Sequence, residues 1–192
     1  MNSNQTILVV EDDPSDQFFI VEAFRLNGAE NPVQLVDNGQ EAIAYLKGEG
    51  RYADRARFGF PMFIITDLKM PHGDGFELLE YLKQNPGMGG MPPAVLTASR
   101  DSDDIQKAYL LGAGCYLQKP ASFNQLQREL KTLCDHWIQC EVPALDVNGR
   151  RALTRSAGNW GRGLGEEEGE ESLGLVRGRA WRRNIEHRSI ER

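Results

Sequence analysis

With 192 residues, 40% hydrophobic and 26% charged, the chain is long enough for one ordinary globular domain and short for two. The net charge of −6 hides an asymmetry: residues 1–142 carry 12 Lys+Arg against 20 Asp+Glu, whereas residues 143–192 carry 10 Arg, no Lys and 8 Asp+Glu. An acidic front and a near-neutral tail do not attract nucleic acid, so none is expected as a partner. No apolar stretch approaches the roughly 20 residues of a membrane helix, and Met1–Gln5 lacks a basic n-region. No membrane contact is expected, and the expected compartment is cytoplasmic. The three cysteines, Cys115, Cys134 and Cys140, fit no zinc spacing and read as reduced thiols.

Thr6–Val10 is a β-rich apolar run that ends in Glu11-Asp12-Asp13. Pro14 suits the first turn of a helix whose apolar positions are Phe19, Ile20, Ala23 and Phe24, stopped at Asn27-Gly28. Val33–Val36 is a short strand. Asn38 can cap a helix with Ala42, Ile43 and Leu46 inward, ended by Gly48 and Gly50. Residues 48–61 read as a solvated basic loop, long for a connection of this kind, where about 2–6 residues is usual. Met62–Thr66 is almost wholly apolar, as a strand buried on both faces should be, and it delivers Asp67. A Pro-Gly turn leads to a helix with Phe76, Leu79 and Leu82 on one side. Ala94–Thr97 is a fourth strand. Asp101 or Ser102 caps the next helix, with Ile105, Ala108 and Leu111 inward. Cys115–Gln118 is a fifth strand, ending at Lys119-Pro120, and Ser122 caps a last helix with Phe123, Leu126, Leu130, Leu133 and Trp137 inward.

Five strands alternating with five helices predict an α/β fold: a doubly wound, five-stranded parallel sheet covered on both faces. The pattern stops after Val142. The expected domain is therefore 1–142. Residues 143–192, rich in Gly, Arg and Glu, have too little apolar surface to bury and are expected to be a disordered tail.

In such a sheet, ligands bind at the carboxyl ends of the strands. Those ends carry Glu11, Asp12 and Asp13, then Asp67, Thr97 and Lys119. Carboxylates brought together at about 4 Å repel by on the order of 4 kcal/mol per pair at an effective dielectric of about 20, so the cluster calls for a cation. An all-oxygen set without His or Cys suits Mg²⁺ or Mn²⁺. Asp67 can then act as a nucleophile toward phosphorus, with the metal, the Lys119 ammonium and the Thr97 hydroxyl on the phosphoryl oxygens. The small side chain of Ala98 leaves access.

Over residues 6–140 the chain resembles the receiver domain of two-component response regulators. The resemblance rests on Val9-Val10-Glu11-Asp12-Asp13-Pro14, on Ile64–Gly75 around Asp67, on Leu96-Thr97-Ala98-Ser99 and on Gln118-Lys119-Pro120. It implies the flavodoxin-like (βα)5 receiver fold and a phosphoacceptor at Asp67, supplied by a sensor histidine kinase. It implies metal ligation by Asp12, Asp67 and the Lys69 backbone carbonyl, with Glu11 acting through water; Asp13 fits less well as a ligand. It also implies a cis bond at Pro120 and a coupled switch pair of Thr97 and Tyr116, with Tyr116 turning inward on phosphorylation. Lys69 and Ser99 should flank the phosphoryl site. Gly48–Arg55 and the lack of a DNA-binding domain resemble stand-alone receivers that partner phytochrome-type kinases, and dimers through helix 4, strand 5 and helix 5 follow by analogy. The implied output is protein–protein contact, with phosphate turnover confined to self-modification, so no conventional enzyme is expected. The alternatives are a transcriptional regulator using the tail as its output and an aspartyl phosphatase. A phosphatase of that kind usually sets a second acid two residues after the nucleophile, where this chain has Lys69.

Overall fold

The computed structural model describes residues 6–139, except 72, 87 and 89–91 and the side chains of 138 and 139. The expected tail, and Cys140, lie outside the described residues. The strands are β1 (Thr6–Val10), β2 (Val33–Val36), β3 (Pro61–Thr66), β4 (Ala94–Thr97) and β5 (Cys115–Gln118). The helices are α1 (Pro14–Leu26), α2 (Gly39–Lys47), α3 (Gly75–Gln84), α4 (Ser102–Leu110) and α5 (Phe123–Gln139). All strand pairs are parallel, in the order β2-β1-β3-β4-β5. The sheet is therefore doubly wound, and the order in which strands are added reverses between β1 and β3, the place where such sheets open a crevice.

Alternate residues of each strand face opposite layers. Ile7, Val9, Phe63, Ile65 and Leu96 meet Ile20, Phe24, Leu130 and Trp137 of α1 and α5. Leu8, Val10, Ile64 and Val95 serve the opposite face, against Leu46, Leu78, Leu79 and Ala108 from α2, α3 and α4. Burying each such aliphatic side chain contributes roughly 1.5–3 kcal/mol, which holds the strands in register and so positions what lies at their ends.

The caps are largely those the residue types favour. Asn38 accepts from the Glu41 N–H at the start of α2, and Gly48, at φ 71°, closes it in the left-handed region. Asp101, rather than Ser102, caps α4. Two expectations need correction. Phe19 is 42% exposed, because it lies against Phe123 at the edge of the α1–α5 seam instead of under it. Residues 48–60 are solvated only in part: Arg51, Asp54 and Arg57 are exposed, but the segment also reaches into the core. Tyr52 is buried and stacks edge-on with Tyr45 and Phe58. The Arg55 guanidinium donates to the carbonyls of Tyr45 (2.8 Å) and Leu46 (2.6 Å), satisfying the open C-terminus of α2.

Candidate functional site

The register carries the acids to one place. Val10 pairs with Thr66, so the next residues, Glu11 and Asp67, leave adjacent central strands side by side. The Asp67 N–H donates to the Val10 carbonyl (2.9 Å), extending the ladder to the acid itself. On the other side, Thr97 pairs with Gln118, and the Lys119 N–H donates to the Thr97 carbonyl (2.8 Å). Lys119 thus begins its reach one residue beyond the sheet, pointing back across β4.

That reach ends among carboxylates. Lys119 Nζ lies 2.7 Å from Glu11 Oε2, 2.7 Å from Asp67 Oδ2 and 2.7 Å from Asp16 Oδ2. Glu11 and Asp67 are buried, at 1% and 7% exposure. Asp67 Oδ1 accepts from the N–H groups of Leu68 (2.5 Å) and Lys69 (3.3 Å), so one oxygen is held by backbone and the other by a side chain. Burial pushes the Glu11 carboxyl up to about 7, and the neighbouring Asp67 charge adds to this against the opposing pull of Lys119. Burial alone would depress the Lys119 ammonium, but its bonds to Asp16, Asp67 and Glu11 together raise it above the ordinary lysine value.

The Glu11 shift predicts a pH effect with a definite sign. Glu11 holds its proton more tightly folded than unfolded, so its contribution to stability is full below the ordinary carboxylate range and falls as pH rises through about 7. With a chelator present, thermal unfolding should show stability falling between about pH 5 and 8, and Glu11→Gln should flatten the slope by about 1–2 kcal/mol over that interval. An unchanged slope in the variant would remove Glu11 as its source.

Asp12 is exposed at the mouth. Asp13 caps α1, accepting from the N–H groups of Ser15 (2.7 Å) and Asp16 (3.1 Å), which fits its reading as a poor ligand. Thr97 is buried at the end of β4 and Ala98 is exposed beside it. Lys69 and Ser99 both meet Asp104 in the first turn of α4. Lys69 Nζ is 2.8 Å from Asp104 Oδ2, and the Ser99 hydroxyl donates to the same oxygen (2.6 Å). These bonds hold the Asp104 carboxyl below its usual range. The Tyr116 hydroxyl donates to the Ser99 carbonyl (3.2 Å), so Tyr116 already reaches the β4–α4 loop. The bond at Pro120 is trans, correcting the expected cis form: no described peptide bond is cis. The trans form is intrinsically favoured by about 0.5–1 kcal/mol, and Lys119 reaches Asp67 with it.

Asp16 is the residue the sequence reading missed. It sits four residues after Asp12 in the first turn of α1, where an acid has an ordinary explanation in the helix dipole.

A divalent cation was expected between these acids. Among the described residues, no three or more His, Cys, Asp or Glu side chains form a group that could hold a metal ion. The side chains Glu11, Asp16 and Asp67 instead surround the Lys119 ammonium. The donor chemistry still fits a hard cation: the acceptors are all oxygen, two are buried, and three carboxylates share one lysine.

The helix after the site is packed against it. A Cβ on Gly75 would lie 2.0 Å from the Asp67 carbonyl oxygen and 2.9 Å from Thr66 Oγ1. Gly75→Ala must displace the backbone that carries Asp67. It should cost on the order of 2 kcal/mol or more in urea unfolding, and an unchanged midpoint would show that α3 can retreat freely.

The profile of the response regulator receiver domain matches residues 7–131. The response regulator Rcp1 of Synechocystis is 31% identical over 138 residues, covering 72% of this chain and 92% of that protein. The crystal structure of the phosphorylated cyanobacterial phytochrome response regulator RcpA superposes with a TM-score of 0.66 at 35% identity, covering 73% of this chain and 99% of that one. The Mn²⁺-bound form of Rcp1 gives 0.65 at 30%, with the same coverage. With its five-stranded sheet and acids at the switch point, this chain belongs to the response regulator receiver domain family.

Proposed function

We propose that Asp67 is the phosphoacceptor of this receiver and that a sensor histidine kinase supplies the phosphoryl group. The observation that carries the proposal is the asymmetric hold on Asp67: Oδ1 is fixed by two backbone N–H groups, whereas Oδ2 is held by the Lys119 ammonium, which can let go. Oδ2 attacks phosphorus, the P–N bond to the donor's imidazole breaks, and the imidazole nitrogen keeps the electron pair. Lys119 then turns a donor toward a phosphoryl oxygen, and Thr97 lies at the adjacent strand end. Bound Mg²⁺ or Mn²⁺, held by Asp67, Asp12 and the Lys69 carbonyl with Glu11 behind them, would neutralise charge on the phosphoryl oxygens. The Mn²⁺-bound form of Rcp1 supports a divalent ion here.

The kinase is of phytochrome type, on the strength of the named phytochrome response regulators among similar structures. Output is by protein contact, through a face formed by α4, β5 and α5, where Tyr109 and Leu110 stand exposed; the same face serves a homodimer. Phosphate turnover is self-modification in the cytoplasm.

Incubation with acetyl phosphate and Mg²⁺ tests the core of this. The expected product is an acyl phosphate that hydroxylamine releases and that a chelator prevents from forming. Absence of label, or label that withstands hydroxylamine, would overturn it.

A further inference from the structure

We propose that Asp16 is a positioning residue that occupies a donor of Lys119 in the resting protein and competes with the incoming phosphoryl group for it. This rests on the reading of Asp67 as phosphoacceptor.

An ammonium has three N–H donors and no more. In Lys119 all three have carboxylate partners, each at 2.7 Å: Glu11, Asp16 and Asp67. An approaching phosphoryl oxygen therefore finds no free donor, and one bond must open first. The three partners differ in how readily they can release. The Glu11 side chain is 2% exposed, continues the central strand β1, and its second oxygen accepts from the Asp13 N–H (3.2 Å). Asp67 is the nucleophile, and its bond to Lys119 ends only as the new P–O bond forms. Asp16 alone stands on a helix and is 39% exposed. It lines a cavity of about 260 Å³ with Phe19, Lys119, Pro120 and Phe123, so its carboxylate can turn toward water.

Asp16 also adds a third negative charge where the phosphodonor, itself an anion, must arrive. Both effects have the same sign. With Asp16 in place, Lys119 is held ready but fully engaged. Without it, one N–H is already free and the approach is less repulsive.

Asp16→Asn should therefore label with acetyl phosphate and Mg²⁺ about 3–10-fold faster than wild type at low salt, and the gain should shrink toward one as ionic strength screens the charge. Asp16→Glu, which restores the charge, should return to within about 2-fold of wild type. Asp16→Ala, which removes the acceptor oxygens together with the charge, is the second test of the same loss, should the asparagine variant unfold. A merely structural role would lower the melting temperature and leave the salt dependence of labelling unmoved. Labelling of both neutral variants at or below the wild-type rate, with wild type itself labelled, would overturn the role of Asp16 and leave Asp67 standing. Failure of wild type to label would instead overturn the phosphoacceptor reading on which it rests.

Discussion

Asp67→Asn is expected to abolish acetyl-phosphate labelling, by at least about 10²-fold, while the fold survives. The substitution keeps the shape of the side chain. Its amide oxygen can take over the N–H groups of Leu68 and Lys69 that now bond Oδ1. Its NH₂ group would then face the Lys119 ammonium, donor against donor, in place of the present 2.7 Å bond. That loss is offset because a nearly buried negative charge disappears from beside Glu11. Stability should shift little in either direction. The chemistry has no such compensation, since a neutral amide is a poor nucleophile toward phosphorus. A variant that retains hydroxylamine-labile label would place the acceptor elsewhere, and Asp12, exposed at the same mouth, would be the next residue to replace.

The principal site residues were legible because each ends a short apolar run, and parallel pairing then leaves little freedom. Once β1 and β3 are adjacent and in register, Glu11 and Asp67 must emerge together. Once β5 flanks β4, Lys119 must emerge beside Thr97. Asp13 was set apart as a poorer ligand only by the family resemblance; in the structure it precedes Pro14 and caps α1. What stayed hidden depends on side-chain reach across long sequence separations. Asp16 meets Lys119 across 103 positions, and no local pattern marks it. Asp104, which gathers Lys69 and Ser99, looks like an ordinary acid in the first turn of α4. The segment after α2 misled for another reason. Its arginines suggested solvent, yet Arg55 spends its charge on helix-end carbonyls and Tyr52 is in the core.

The contacts of Lys69, Ser99 and Tyr116 show how the site is joined to α4. Lys69 follows Asp67 by two residues and pairs with Asp104 on α4. Tyr116, on β5, bonds the Ser99 carbonyl in the loop leading into the same helix. A charge change at Asp67 therefore has two routes to α4: through the loop that carries Lys69, and through the β4–α4 loop that follows Thr97. Such a local charge event biasing a two-state element is the general form of a phosphorylation switch.

Replacing Lys119 should have the largest combined effect. Lys119→Met keeps the length of the side chain and removes the ammonium that sits among Glu11, Asp16 and Asp67. Breaking a buried ion pair typically costs 3–5 kcal/mol, and with Lys119 17% exposed the expected loss lies toward about 2–3 kcal/mol. Glu11, which burial already pushes up and Lys119 holds down, would then favour its protonated form further, so the deficit should shrink as pH falls and grow as it rises. Labelling should drop by about 10²-fold, since the phosphoryl oxygens lose a charged donor. Loss of label could follow from the weakened fold alone, and Lys119→Arg separates the two. Arginine keeps the charge, and so should restore most of the stability. Its planar fork cannot place one nitrogen at 2.7 Å from three carboxylates converging from β1, β3 and α1, so labelling should stay slow. If Lys119→Arg recovered labelling along with stability, charge alone would suffice, and the three-way geometry around Nζ would have no part in the chemistry.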